Sequence, residues 1–154
     1  MIQSLKKLLT VWLVLLALSN PSFAQKVSHV IDGDTLKLSD GRKIRLLLVD
    51  TPESALNSKL YRDARKEKIP INKIIEKGLD SKEFTRKLVE GKNVTLKYDK
   101  SRTDLHGRTL AYVYTDDGMF LNEELIRTCH ARPMYVWPND KFRKRFEELY
   151  KNCQ

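Results

Sequence analysis

The amino-acid sequence predicts an α+β domain, a small five-stranded β-barrel with about three helices. Three features predict it. Short segments in which apolar and polar residues alternate fall into two groups, residues 27–49 and 94–114, separated by a stretch with helical spacing. Two more helical segments follow the second group. The Asp-Gly pairs at 40–41 and 117–118 supply the tight turns that such a sheet needs. A length of 154 residues with 41% hydrophobic side chains suffices for one core.

In chain order, Val27, His29 and Ile31 alternate with Lys26 and Ser28 as a first strand, which Asp32-Gly33-Asp34 interrupts. Leu36 and Leu38 lead into the Asp40-Gly41 turn, and residues 42–49 return as one long strand. Its Leu46-Leu47-Leu48-Val49 run reads as covered on both faces. Pro52 cannot donate to a ladder and marks the exit. Residues 54–70, with Lys59, Arg62, Arg65, Lys66 and Lys68, read as a long loop or a short helix. Ile71, Ile74, Gly78, Ser81, Thr85 and Val89 share a helical face that Gly91 ends, with Gly78 a point where the helix could split. Residues 94–98 and 110–114 alternate as strands. Asn122 is placed to cap a helix carrying Leu125 and Ile126. Pro138-Asn139-Asp140 opens a last helix striped by Phe142, Phe146, Leu149 and Tyr150. Three strands, a helix, two strands and two helices is the order of an OB-type barrel, and a generic α+β sandwich is the competing arrangement.

The N-terminus stands apart from this domain. Lys6-Lys7 precede an apolar run from Leu8 to Leu18 of about 11 residues, where a bilayer-spanning helix needs roughly 20. Asn20-Pro21 breaks the run, and small Ser22 and Ala24 flank Phe23. This is the anatomy of a secretory leader cleaved after Ala24, with an uncleaved anchor as the alternative. Residues 1–24 are therefore expected to be a leader and 25–154 the mature domain. The mature chain is expected to be secreted or periplasmic, monomeric, and free of stable membrane association. Basic side chains outnumber acidic ones by 29 to 20, and the leader removes only two lysines from that surplus. Such a balance favours anionic partners, either nucleic acid or an anionic membrane face. Only 6 glycines and 2 cysteines exclude a collagen-like chain and a disulfide framework. In an oxidising compartment Cys129 and Cys153 are expected to form one disulfide, because their separation matches no zinc-binding spacing.

Four acidic residues, Asp32, Asp34, Asp50 and Glu53, occupy the two places where the early strands break. Strands that end side by side would gather them, and gathered carboxylates need a cation or raised pKa values. Asp34 and Asp50 with the Thr51 carbonyl would suit Ca²⁺ or Mg²⁺, which take oxygen ligands. The plainer reading of Asp32-Gly33-Asp34 is a turn and nothing more. Arg45 lies five residues before Asp50, and an odd separation on one strand puts two side chains on opposite faces unless a bulge intervenes. Arg108 opens a later strand. Two guanidinium groups beside a carboxylate-bound cation would grip a phosphate, although a lone arginine is more commonly a solvated surface residue.

Residues 30–35 (Val-Ile-Asp-Gly-Asp-Thr), the ungapped block Arg45–Glu53, Thr103-Asp104 with Gly107-Arg108, and residues 110–114 closely resemble the staphylococcal nuclease, or thermonuclease, family. The resemblance covers roughly residues 27–137. It implies an OB barrel with three helices, and Ca²⁺ held by Asp34, Asp50 and the Thr51 carbonyl with Asp32 in support; Mg²⁺ is a less suitable ion. It implies Glu53 as general base, Arg45 and Arg108 as a clamp on the scissile phosphate, and single- or double-stranded DNA and RNA as substrates cut to 3′-phosphate and 5′-hydroxyl ends. A non-catalytic nucleic-acid-binding OB module is the alternative. Leu105-His106 stands where the family commonly has Lys-Tyr, so His106 can still donate to a terminal phosphate and Leu105 cannot. Tyr135 matches a tyrosine near the family's nucleotide pocket, and Trp137 falls where another aromatic occurs. The segment after Glu53 is longer than the family's pattern; its cations either extend a nucleic-acid groove or coat a solvated loop.

Overall fold

The structure, a computed structural model, describes residues 24–154, so the expected leader lies outside the described residues apart from Ala24. Five strands close a barrel in the order β1 (Gln25–Asp32), β2 (Thr35–Leu38), β3 (Lys43–Leu46), β6 (Thr109–Thr115) and β5 (Asn93–Lys97). Two antiparallel hairpins join β1, β2 and β3, and Gly41 takes φ +89° in the second turn. β3 runs parallel to β6, with Arg45 opposite Leu110. β5 pairs antiparallel with β6, and Gln25 opposite Val94 closes the ring. A two-residue pair outside the barrel, β4 (Val49–Asp50) with β7 (Arg132–Pro133), sets Asp50 opposite Arg132. Among the described residues four α-helices lie outside the barrel: α1 (Ser58–Glu67), α2 (Ile71–Val89), α3 (Leu121–Arg127) and α4 (Arg143–Tyr150). Val27, Leu36, Ile44, Leu47, Tyr112 and Phe146 are wholly buried in one core.

The departures from the sequence expectation have local causes. In β1 the buried residues are Val27 and Val30, three apart, while His29 is exposed. A register shift between Val27 and His29 against β2 inserts an extra residue and flips the phase. The long strand expected over 42–49 ends at Leu46. Residues 47–48 turn, with Leu48 at φ +61°, and the chain resumes as β4. That left-handed conformation is costly for leucine, and complete burial of Leu47 and near-complete burial of Leu48 offset it. Asn122 does not cap α3. It sits inside the helix, fully buried, where its Nδ2 donates to the Leu47 and Ala111 carbonyls (2.9 and 3.3 Å) and its Oδ1 accepts from the Val113 N–H (2.9 Å). One amide thus satisfies the Leu47 carbonyl and the Val113 N–H, and adds a second donor to the Ala111 carbonyl, which already accepts from the Leu47 N–H.

Residues 58–67 form a helix rather than a loop. Asn57 is its cap, accepting from the Leu60 N–H at 2.8 Å. α2 is continuous through Gly78, because that position carries the helix against backbone: a Cβ there would lie 2.3 Å from the Glu53 carbonyl oxygen. α4 begins at Arg143, later than Pro138-Asn139-Asp140 suggests. Its approach is tied down by Asp99, which accepts from the N–H groups of Asp140 and Lys141 (both 3.1 Å) and from the Tyr112 hydroxyl (2.8 Å). Cys129 and Cys153 are joined by a disulfide that links the end of α3 to the C-terminal turn.

Candidate active site

The turn at Leu47–Leu48 decides the geometry of the site. Because the chain folds over there, Arg45 at the end of β3 and Asp50 in β4 face each other despite their odd separation. The Arg45 Nη2 lies 3.3 Å from Asp50 Oδ1, and its Nη1 pairs with Asp34 Oδ2. Asp34 reaches the same point from the β1–β2 turn and accepts from the Thr51 N–H at 2.9 Å and the Thr35 hydroxyl at 3.0 Å. The side chains of Asp34 and Asp50 are only 9% and 3% exposed, so they are carboxylates held from water and dependent on partners. Asp32 stands next to this pair. Burial raises its pKa, and the negative charges of Asp34 and Glu53 add to that, against a hydrogen bond from Ser54.

Glu53 lies on the rim. Lys59 from α1 donates to its Oε1 at 2.7 Å, and Asn57 pairs with its other oxygen. The same ammonium lies 3.3 Å from Asp50 and 3.4 Å from Asp63. Arg132 in β7 approaches Asp50 from the far side, with Nη2 3.0 Å from Oδ2, and also pairs with Glu67. Burial works against the charge on Lys59 and Arg132, yet the surrounding carboxylates win and raise both pKa values. A cavity of about 160 Å³ opens beside Asp50, walled by Asp63, Glu67, Lys77 and Arg132.

Sequence reasoning named Lys59 only among the cations of 54–70 and missed its place beside the carboxylates, and it missed Asp63, Glu67 and Arg132 altogether. The first three are spaced four apart, which puts them on one face of a helix, so the signal was present once that segment is read as helical. Arg132 carries no such signal, because it is brought in by a pairing 82 residues distant in sequence.

Not every expected residue gathers here. Arg108 precedes β6 and its Nε lies 2.7 Å from Asp104, whose carboxylate also accepts from the Arg108 N–H. Among the described residues it makes no contact with Asp34, Asp50 or Glu53. His106 is exposed at the tip of that loop. Tyr135 is 42% exposed, with the Arg143 guanidinium 4.5 Å from its ring centre, and it lines a separate groove with Leu48 and Phe146. Trp137 is exposed.

The donors suit a hard divalent cation. Five carboxylates (Asp34, Asp50, Glu53, Asp63, Glu67) face three cations (Arg45, Lys59, Arg132), leaving the cluster formally negative. Thr51 Oγ1 is buried beside them with no hydrogen-bond partner among the described residues. No three His, Cys, Asp or Glu side chains among the described residues are arranged as a ready cage, so backbone oxygen and water would complete the ligand set.

The sequence profile described as "Staphylococcal nuclease homologue" matches residues 43–154. The chain belongs to that family. The Thermonuclease of Staphylococcus hyicus is 36% identical to it over 132 residues, covering 84% of this chain and 70% of that protein. The Thermonuclease of Staphylococcus intermedius is 37% identical over 131 residues, covering 83% and 70%. Endonuclease YncB of Bacillus subtilis (strain 168) is 37% identical over 125 residues, covering 78% of this chain and 53% of that protein. Family membership agrees with the barrel and its order of strands, and α1 lies beside the carboxylates.

Proposed function

We propose that this member of the staphylococcal nuclease family is an exported, Ca²⁺-dependent nuclease that hydrolyses DNA and RNA to 3′-phosphate and 5′-hydroxyl ends. One observation carries the reading. Two buried carboxylates from separate strand breaks meet one guanidinium, with a glutamate on the rim beside them. Phosphodiester hydrolysis needs positive charge on the phosphoryl oxygens, an aligned water and a proton acceptor near phosphorus. Asp34, Asp50 and the Thr51 carbonyl would hold the ion, which when bound supplies charge to the phosphate oxygens and orders water. Arg45, fixed by both aspartates, presents its remaining donors to the phosphate. Glu53 accepts the proton of the attacking water once Lys59 yields one of its oxygens. Arg108 joins the clamp by exchanging Asp104 for the substrate's phosphate, a swap of one oxyanion partner for another. Export rests on the leader-like residues 1–24, and the Cys129–Cys153 disulfide suits an oxidising compartment.

A non-catalytic nucleic-acid-binding module has one observation on its side: Lys59 and Arg132 already neutralise part of the carboxylate charge. The deciding experiment incubates the 25–154 protein with single-stranded DNA and with RNA, adding Ca²⁺, Mg²⁺ or chelator. Cleavage with Ca²⁺ that stops with chelator, and that falls by on the order of a hundredfold or more in Glu53→Gln, is expected. Fragments should carry 3′-phosphates. Binding without strand loss under every condition would leave the module reading standing instead.

A further inference from the structure

Helix α1 has two faces that do different things. The inner face carries Lys59, Asp63 and Glu67, all engaged with Asp50, Glu53 or Arg132. Leu60, wholly buried, fixes the helix from below. The helix is therefore held rigidly against the carboxylate cluster. Its outer stripe carries Tyr61, 51% exposed, with exposed Arg62 and Arg65. On a helix, Tyr61 and Arg65 stand four apart and adjacent to Arg62, so one aromatic ring and two guanidinium groups share a strip of surface.

Among the described residues, the arginines of that strip differ from those of the other helices. Arg86 in α2, Arg127 in α3, and Arg143 and Arg145 in α4 each pair with a glutamate, namely Glu83, Glu124, Glu147 and Glu123. Among the described residues Arg62 and Arg65 pair with nothing, because the acids of α1 face inward and are spent there. A sequence that only needed a soluble helix would place acids outward among these cations. Unpaired guanidinium groups beside an exposed ring are the side-chain chemistry of a single-stranded polynucleotide track: charge for phosphates, a π-face for a base.

We propose that the outer face of α1 binds the polynucleotide strand as it leaves the cluster at Asp50 and Glu53, giving the protein a site for long substrates. This rests on the nuclease reading above and extends it. The distances are compatible. A helix with side chains is about 10–12 Å across, so the outer face of α1 stands about one helix diameter from the carboxylates. The stripe would therefore meet phosphates away from the bond being cut, beyond the reach of a dinucleotide. Arg62 and Arg65 supply charge there, and Tyr61 stacks on a base.

The test is the double variant Arg62→Glu/Arg65→Glu, with Arg62→Lys/Arg65→Lys as its partner. Two substrates are used, a dinucleotide and a 30-nucleotide single strand. Cleavage is read with Ca²⁺, and binding of the 30-mer is read by fluorescence anisotropy in chelator across a salt series. The expected result is unchanged dinucleotide cleavage, a KM for the 30-mer raised on the order of tenfold at low salt, and a salt slope reduced by about 1.4 for two lost contacts. The lysine pair should keep the slope. Equal 30-mer binding and KM in the glutamate variant and the parent would overturn the proposal. If the parent cleaves neither substrate, the nuclease reading fails, and the anisotropy salt series in chelator still decides whether α1 binds the strand. Far-UV circular dichroism checks folding; should the glutamate pair unfold, Arg62→Gln/Arg65→Gln takes its place.

Discussion

Arg45 is the residue on which most of the site depends. It is 7% exposed, and it is the guanidinium that touches both Asp34 and Asp50. Its loss has two separable consequences. Removal of a preorganised donor to a transition-state oxyanion costs on the order of 3 kcal/mol, a fall of about a hundredfold or more in kcat/KM. Removal of a buried partner also leaves two desolvated carboxylates facing each other, which destabilises by about 3–5 kcal/mol where nothing compensates. Arg45→Ala should therefore lose both turnover and melting temperature. A divalent ion should restore part of the stability and little of the turnover. Near-parental kcat/KM in a folded Arg45→Ala protein would remove Arg45 from the mechanism. Lys59 acts at the same scale in the opposite sense, because its ammonium lies where charge is wanted by Asp50 and Glu53. With that cation gone, the carboxylates should attract an added ion more strongly. Lys59→Met should bind Ca²⁺ in the absence of substrate about tenfold more tightly by calorimetry. Equal or weaker binding would show that Lys59 organises the site without competing for it.

At the scale of elements, the position of Glu53 is set by helix-to-backbone contact. α2 packs onto the 52–54 segment through Gly78, where a methyl group would fall 2.3 Å from the Glu53 carbonyl oxygen and 2.7 Å from the Ser54 nitrogen. Backbone cannot swing aside as a long side chain can, so the helix or the segment must move. Gly78→Ala raises helix propensity by up to about 1 kcal/mol. Overpacking costs about 1–3 kcal/mol and is the larger effect. The variant should melt lower than the parent and lose turnover through displacement of Glu53, with KM for long strands little changed. A Gly78→Ala protein that is more stable and fully active would show that the contact is soft. The same element scale explains why the sequence conceals the convergence of Arg45 and Asp50. Four consecutive apolar residues, 46–49, read as an uninterrupted strand, and the interruption comes from Asn122, far along the chain. No local pattern around Leu48 announces a left-handed residue.

For the whole molecule, what the sequence shows and what it hides divide along local and non-local causes. The barrel, the Asp40-Gly41 hairpin and the apolar face of α2 follow from periodicity and turn chemistry that neighbours supply. The Asp34–Asp50–Arg45 cluster was legible as residue types and through family resemblance, while its closure depends on Asn122 and Arg132 reaching across the fold. Asp99 is a third such long-range tie, and it sets a measurable acid limit. Burial alone would raise its pKa, but the Tyr112 hydroxyl and the N–H groups of Lys141, Lys100 and Asp140 donate to the charged form and lower it overall. A carboxyl whose pKa falls on folding contributes stability that is fully present above its unfolded value, near 3.9. That contribution drains away as pH falls through the unfolded value towards the folded one. Stability should therefore drop below about pH 4, with loosening of the 138–142 approach to α4. In Asp99→Asn the group cannot titrate, so the protein should be less stable at pH 7 and should lose less between neutral and acid pH. Urea midpoints for both proteins at several pH values would show the two curves converging below pH 4. Curves that stay parallel would mean that the other carboxylates, and not Asp99, govern acid unfolding.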